Sequence, residues 1–221
     1  MSEPYKFNSF GKEGALHLTS FSPRSKAALD YFIKKNSNKK IFYLQKQNEG
    51  FLVGEKYSYI LYANQVQFYL RTSDLEAKFH FEEGIEENQT PALKDLLIKN
   101  NENNIMFAPE MLKSFENNTK LVIEKGHSCQ AYHNSKIVGH VSLIRMADPI
   151  FGNAEITVLL RLVVDKEYRN TGIKERLMGF VSQKVDINTP MYLQVFPNNY
   201  AALRFFLRRT NAVIFWERWR V

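Results

Sequence analysis

Short apolar runs alternate with polar breaks over the first 118 residues. Ser22-Pro23 ahead of Leu29, Phe32 and Ile33 predicts a capped helix: serine can cap, proline fits the first turn, and the apolar residues recur at i, i+3 and i+4. Lys40–Gln45, Gly50–Gly54, Tyr57–Ala63 and Gln65–Arg71 are rich in aromatic and β-branched residues, which predicts a meander of antiparallel strands. Phe79–Phe81 is a further strand candidate, and the acidic stretch Glu82–Glu87 reads as an exposed loop. Thr90-Pro91 opens a second helix with Leu93, Leu96 and Leu97 on one face, and Asn100–Asn104 breaks it. Ile105–Phe107 predicts a short strand and Met111–Phe115 a short helix.

The rest of the chain is more regular. Leu121–Glu124, Ser128–His133 and Ile137–Arg145 predict strands, with a turn at Asn134-Ser135-Lys136. Ala154–Val164 is nearly continuously apolar, the pattern of a central strand. Thr171–Lys184 predicts a helix, with Ile173, Leu177, Phe180 and Val181 at helical spacing. Met191–Phe196 predicts a strand, Asn198 or Asn199 caps a helix carrying Ala202, Phe205 and Phe206 on one face, and Ala212–Arg220 closes as a strand. Asn117-Asn118 marks a boundary between an N-terminal α/β region, residues 1–118, and a C-terminal domain, residues 119–221.

Charge supports that division. Residues 1–118 carry as many acidic as basic side chains, so the whole net charge of +7 lies in residues 119–221. Such asymmetry points to an anionic partner for the C-terminal half. At 44% hydrophobic residues the chain has ample material for a core, which excludes a disordered or collagen-like protein. One cysteine, Cys129, excludes a disulfide framework and a multi-cysteine zinc site. No apolar run approaches the roughly 20 residues that cross a bilayer. The N-terminal residues lack the apolar stretch of a signal peptide. A cytoplasmic protein without membrane partners is expected.

The informative junction lies between the long strand and its helix, Val163-Val164-Asp165-Lys166-Glu167-Tyr168-Arg169-Asn170-Thr171-Gly172-Ile173-Lys174. A strand ends, a polar turn follows and a helix begins beside a glycine. First-turn amides and the positive end of the helix dipole bind phosphate, and glycine lets a ligand approach the backbone. Arg169 and Lys174 add positive charge at the same place. Downstream, Gln194-Val195-Phe196-Pro197-Asn198-Asn199-Tyr200-Ala201-Ala202-Leu203-Arg204-Phe205-Phe206 is a strand, a turn and a helix.

These two segments, in this order, resemble the GNAT superfamily of acyl-CoA-dependent N-acetyltransferases, over about the last hundred residues. Arg169-Asn170-Thr171-Gly172-Ile173-Lys174 matches the family's Arg/Gln-x-x-Gly-x-Gly/Ala except at its end, where Lys174 replaces a small residue. Asn199 and Ala202 match its Asn-x-x-Ala. The resemblance implies an α/β fold of the α+β kind: a mixed central sheet with a splayed long strand and flanking helices. It implies acetyl-CoA as cosubstrate, no metal, and direct acyl transfer to a primary amine of a small molecule or protein within a ternary complex. Backbone groups of Leu162, Val163 and Val164 would hold the pantetheine arm. Arg169, Asn170, Thr171, Gly172, Ile173 and Lys174 would cradle the pyrophosphate, and Asn199 would contact the arm near the sulfur. Residues 1–118 would be a degenerate or partial copy of the same fold, as in some members of the family.

Proton handling is less evident. Glu155, at the start of the long strand, is the candidate general base. Period-two counting puts it on one face with Thr157, Leu159, Arg161 and Val163. The family's acid, a tyrosine in the last helix, is replaced by Phe206, and Tyr200 on that helix is a distant substitute. The histidines His17, His80, His127, His133 and His140 are scattered without metal-ligand spacing. Three functions compete: an acetyltransferase, acting as monomer or homodimer on acyl-CoA and an amine; a non-catalytic acyl-CoA-binding sensor or scaffold, favoured by Phe206 and Lys174; and a nucleic-acid binder. The third lacks any recognised motif, so no nucleic-acid partner is expected.

Overall fold

The structure, a computed structural model, describes residues 7–8, 15–18, 40–46, 55–63, 75, 77–101, 109–147, 155–185, 191–195, 199–210 and 212–220. The helix expected after Ser22, the strands at Gly50–Gly54, Gln65–Arg71 and Ile105–Phe107, and residues 196–198 lie outside these residues.

Among the described residues, ten strands form one mixed sheet. They are β1 (Phe7–Asn8), β2 (Ala15–Leu18), β3 (Lys40–Lys46), β4 (Glu55–Ala63), β5 (His80–Glu83), β6 (Gly126–His133), β7 (Lys136–Ala147), β8 (Glu155–Val164), β9 (Met191–Val195) and β10 (Val213–Arg220). Their order is β1-β2-β3-β10-β4-β9-β8-β7-β6-β5. The run β5-β6-β7-β8 is antiparallel, and β8 and β9 are parallel. The N-terminal strand β4 lies between β9 and β10, antiparallel to both. The last two strands, β9 and β10, therefore do not pair with each other; a strand from the first half of the chain joins them.

Among the described residues, four helices flank the strands: α1 (Thr90–Asn101), α2 (Pro109–Lys125), α3 (Ile173–Lys184) and α4 (Tyr200–Arg209). Helix α2 departs from the sequence reading. Leu121–Glu124, expected as a strand, is its last turn, and it runs unbroken through Asn117-Asn118. The reason lies in the buried positions. Phe115, Thr119 and Val122 are 3%, 1% and 3% exposed at i, i+4 and i+7, whereas Ile123 is 41% exposed. One helical stripe faces the core.

The sheet separates two cores. Helices α3 and α4 cover one face, where Ile173, Leu177, Phe180, Val181, Phe205 and Phe206 meet Val141, Leu143, Leu159 and Leu193. Helices α1 and α2 cover the other, where Leu93, Leu96, Phe115 and Val122 meet Ile137, Ile144 and Val163. Gly139 sets the seat of α3: a Cβ there would lie 2.8 Å from Ile173 Cγ2 and 3.2 Å from Leu177 Cδ1.

Candidate active site

Strand β8 pairs with β9 only at Thr157↔Met191, Val158↔Tyr192 and Leu159↔Leu193. It then continues to Val164 paired with β7 alone. At the same place its register with β7 slips, leaving Leu160 without a partner. A bulge bends its strand and increases the local twist, so the bulge and the parting of β8 from β9 occur together and open a gap. Asp165 N–H donates to Val138 O at 2.8 Å. Backbone groups of an antiparallel ladder face the same neighbour at every second residue. Arg161 and Val163 therefore turn their amides to β7, and Leu162 and Val164 turn theirs into the gap.

The loop beyond β8 is built for an anion. Asp165 accepts from Glu167 N–H at 3.2 Å and caps a 3₁₀ turn at Lys166–Tyr168. Thr171 Oγ1 donates to Tyr168 O at 2.7 Å. Asn170 (φ 68°) and Gly172 (φ 96°) are both left-handed. Gly172 caps α3 without a side-chain hydrogen bond, which leaves first-turn amides of that helix to a ligand. A Cβ on Gly172 would meet nothing closer than 3.6 Å, so its backbone angle, rather than space, requires glycine. A pyrophosphate fits these amides in charge and in donor type. The two flanking cations reach opposite ways. Arg169 Nη2 donates to Asn100 Oδ1 of α1 at 3.3 Å, and Lys174 Nζ lies 4.1 Å from the Phe205 ring centroid of α4.

A tie between α1 and this loop has no counterpart in any local sequence pattern. Lys99 Nζ donates to Asp165 Oδ2 at 2.9 Å and to Glu167 Oε1 at 3.0 Å. Burial by itself would raise the Asp165 carboxyl, but the Lys99 ammonium and the Glu167 amide outweigh it and hold it below the usual carboxylate range. The same bonds, that to Asp165 foremost, raise Lys99. The partners are 66 residues apart in sequence, beyond any local pattern.

Other expected residues fall as follows. Asn199 accepts from Ala202 N–H at 3.1 Å and caps α4, leaving its NH₂ as a donor. Phe206 is 5% exposed and packs edge-on to Phe205. Tyr200 is 74% exposed at the start of α4. The structure does not bring Glu155 to the gap. Its side chain is 60% exposed and lies 3.6 Å from Arg145. It stands five residues before the bulge, about 16 Å along the strand. The bulge also breaks the period-two count. Leu159 faces the α3 side and Val163 the α1 side. Cys129 is buried, and burial pushes its thiol up to about 11, which keeps it protonated.

On the α1/α2 face a row of buried polar side chains crosses the sheet: Ser128 and Gln130 on β6, His140 and Ser142 on β7. Arg161 on β8, itself part-buried, extends it, donating to Thr119 Oγ1 at 2.9 Å and Phe115 O at 2.7 Å, with its guanidinium 4.2 Å from the Phe115 ring. Burial pushes its pKa down to about 10. The only sign of it in sequence was a single charge in the apolar run of β8.

The profile of the acetyltransferase (GNAT) family matches residues 90–210. The chain belongs to this family. The GNAT match begins at the start of α1 and ends just past α4, so it includes the split strands, the α3 loop and the Lys99 tie. No curated protein matches the chain in sequence. Among solved structures, a conserved protein of unknown function from Staphylococcus epidermidis ATCC 12228 is similar over 93% of this chain and 82% of its own, at 13% identity and a TM-score of 0.61. A tandem GNAT protein from the clavulanic acid biosynthesis pathway is similar over 94% of this chain and 74% of its own, at 10% identity and a TM-score of 0.56. An acetyltransferase of the GNAT family from Staphylococcus aureus Mu50 shares 24% identity over 59% of this chain and 82% of its own, with a TM-score of 0.48. Family membership implies acetyl-CoA as cosubstrate. Among the described residues no group of three or more His, Cys, Asp or Glu is placed to hold a metal ion, and no helix is long and apolar enough to cross a membrane.

Proposed function

We propose that the protein is an N-acyltransferase that moves an acetyl group from acetyl-CoA to a primary amine by direct transfer in a ternary complex. The carrying observation is the joint position of two features on β8. Its backbone at Leu162 and Val164 opens into the gap, and the uncapped N-terminus of α3 lies at the end of the same gap.

When bound, acetyl-CoA supplies an activated acyl group on a thiolate leaving group. The amides of the Arg169–Lys174 loop take the pyrophosphate charge, and Arg169 and Lys174 add to it. Leu162 and Val164 bond the amides of the arm, as an added strand would. Asn199 donates from the tip of α4. Fixing both substrates converts a two-body encounter into a unimolecular step. The backbone amides at the bulge are suited to stabilise the developing oxyanion. No side chain is assigned as general acid. A thiol pKa near ~8.5 lets the thiolate leave unprotonated.

The N-terminal region is proposed to be a diverged copy of the same fold, supported by the likeness to a tandem GNAT protein over 94% of this chain. A second reading, an acyl-CoA-binding sensor, is favoured by the apolar, buried Phe206. Calorimetry with coenzyme A tests both readings, and absence of binding sinks both. Release of free thiol from acetyl-CoA over an amine panel separates them: turnover supports the enzyme, and tight binding with no turnover supports the sensor.

A further inference from the structure

The buried polar row ends, on β8, beside the bulge where the two strands part. Arg161 occupies that end, and among the described residues no carboxylate pairs with it: the ion pairs there are made by other cations. Among the described residues, its charge is met by a hydroxyl, a backbone carbonyl and an aromatic face. Beside it stand two buried groups with an unpartnered polar atom. Ser142, directly across the ladder from Arg161, has an unpartnered Oγ, and His140, two residues along, an unpartnered Nε2. Gln130 Nε2 lies 3.5 Å from His140 Nδ1. A donor there makes Nδ1 the acceptor and puts the ring proton on Nε2. Burial, and after it the Arg161 charge, pushes His140 down to about 3, so the ring is neutral and Nε2 donates. Three kinds of donor thus stand as neighbours on one face of β7 and β8: guanidinium N–H, hydroxyl and imidazole N–H. The unpartnered acceptor of the row, Gln130 Oε1, lies further off on β6.

Water can satisfy a neutral donor, but it does not compensate a buried charge. An anionic oxygen does both, and a planar carboxylate suits the guanidinium fork. Because Arg161 follows Leu160 directly, such an anion would lie next to the place where the acyl group is transferred. We propose that Arg161, with Ser142 and His140, recognises a carboxylate on the acceptor, so that the acceptor is an amine carrying a free carboxylate, such as an amino acid or the carboxylate end of a small peptide. This rests on the acyltransferase reading. Arg161 is then a specificity-determining residue, and polycationic amines are poor acceptors because they meet its charge without an anion to offset it.

The test is thiol release from acetyl-CoA by the full chain. The panel pairs amino acids and dipeptides with their carboxamides and adds polyamines. Carboxylates should exceed their carboxamides by about tenfold or more in kcat/KM. Arg161→Gln should collapse that ratio toward one, Arg161→Lys should restore part of it, and Ser142→Ala should lower it less. The selectivity of the unsubstituted protein is informative even if Arg161→Gln does not fold, because Arg161 also holds α2. Equal use of carboxamides, preference for polyamines, no turnover on the panel while coenzyme A binds, or a ratio unchanged in Arg161→Gln would each overturn the proposal. Absence of coenzyme A binding would overturn the acyltransferase reading itself.

Discussion

The ammonium of Lys174 rests 4.1 Å from the ring centroid of Phe205, so a side chain from the first turn of α3 reaches across to α4. The family has a small residue at this position, and Lys174 replaces it without crowding the loop by leaning on the neighbouring helix. Such a contact stabilises by about 0.5–1 kcal/mol where partly exposed, little enough for the ammonium to leave Phe205 for a phosphate. Lys174→Met keeps the stem and removes the charge. We expect coenzyme A affinity to fall about 10- to 100-fold, the size of one charge-assisted hydrogen bond, and to depend less on salt. Calorimetry at two ionic strengths checks this; unchanged affinity would mean that the ammonium stays on Phe205.

Gly172 is held at φ 96°. Gly172→Ala should cost about 1–2 kcal/mol of stability from the left-handed backbone alone, visible as a lower Tm. Gly172→Glu should abolish coenzyme A binding, because it sets a negative charge among the phosphate-facing amides. Retained affinity in the Glu variant would place the pyrophosphate elsewhere.

Asp165 sits below its usual pKa through Lys99, so its contribution to stability is complete above about pH 4, the unfolded value, and is lost as pH falls through the lower folded value. Lys99 is raised, so its contribution persists until pH passes above the usual lysine range. Asp165→Asn should therefore melt below the unsubstituted protein at neutral pH by an amount equivalent to about 1–2 kcal/mol. The difference should shrink under acid. Melting curves from pH 3 to 8 check the window, and a difference that grows toward low pH would contradict it.

Glu155→Gln should leave kcat/KM within about threefold. The carboxylate is exposed, paired with Arg145 and remote from the bulge, and pairs of this kind contribute about 0–1 kcal/mol. Tyr200→Phe should be equally mild, given the exposure of that ring. A hundredfold loss in either variant, measured by thiol release, would return that residue to the chemistry.

Much of the site is local in sequence and was legible there. The apolar spacing of Ile173, Leu177, Phe180 and Val181 marks α3, and all four are buried. The cap at Asn199 and the glycine before α3 also follow from local rules. Helix α2 is hidden from the sequence pattern because Leu121-Val122-Ile123 is a short apolar, β-branched run of the kind strands use, while its true stripe joins Phe115, Thr119 and Val122 across a polar Asn117-Asn118. Arg161 and Val163 leave the face they would share with Glu155 because no residue type announces the bulge at Leu160, and one extra residue reverses parity beyond it. Partnerships such as Lys99 with Asp165, or Arg161 with Thr119, depend on tertiary placement and leave no trace in spacing.

The insertion of β4 between β9 and β10 also bears on how the chain reaches its native state. The pair Tyr59↔Val195 closes a loop of more than a hundred residues, and Trp216↔Lys46 a longer one. Loop closure of that length carries its entropic cost before any contact offsets it, and such topologies fold slowly. During synthesis β4 leaves the ribosome long before β9 or β10 exists, so its edges wait unpaired. Unpaired edges recruit other strands, which makes the interval before β9 and β10 emerge the time of greatest exposure to misassembly.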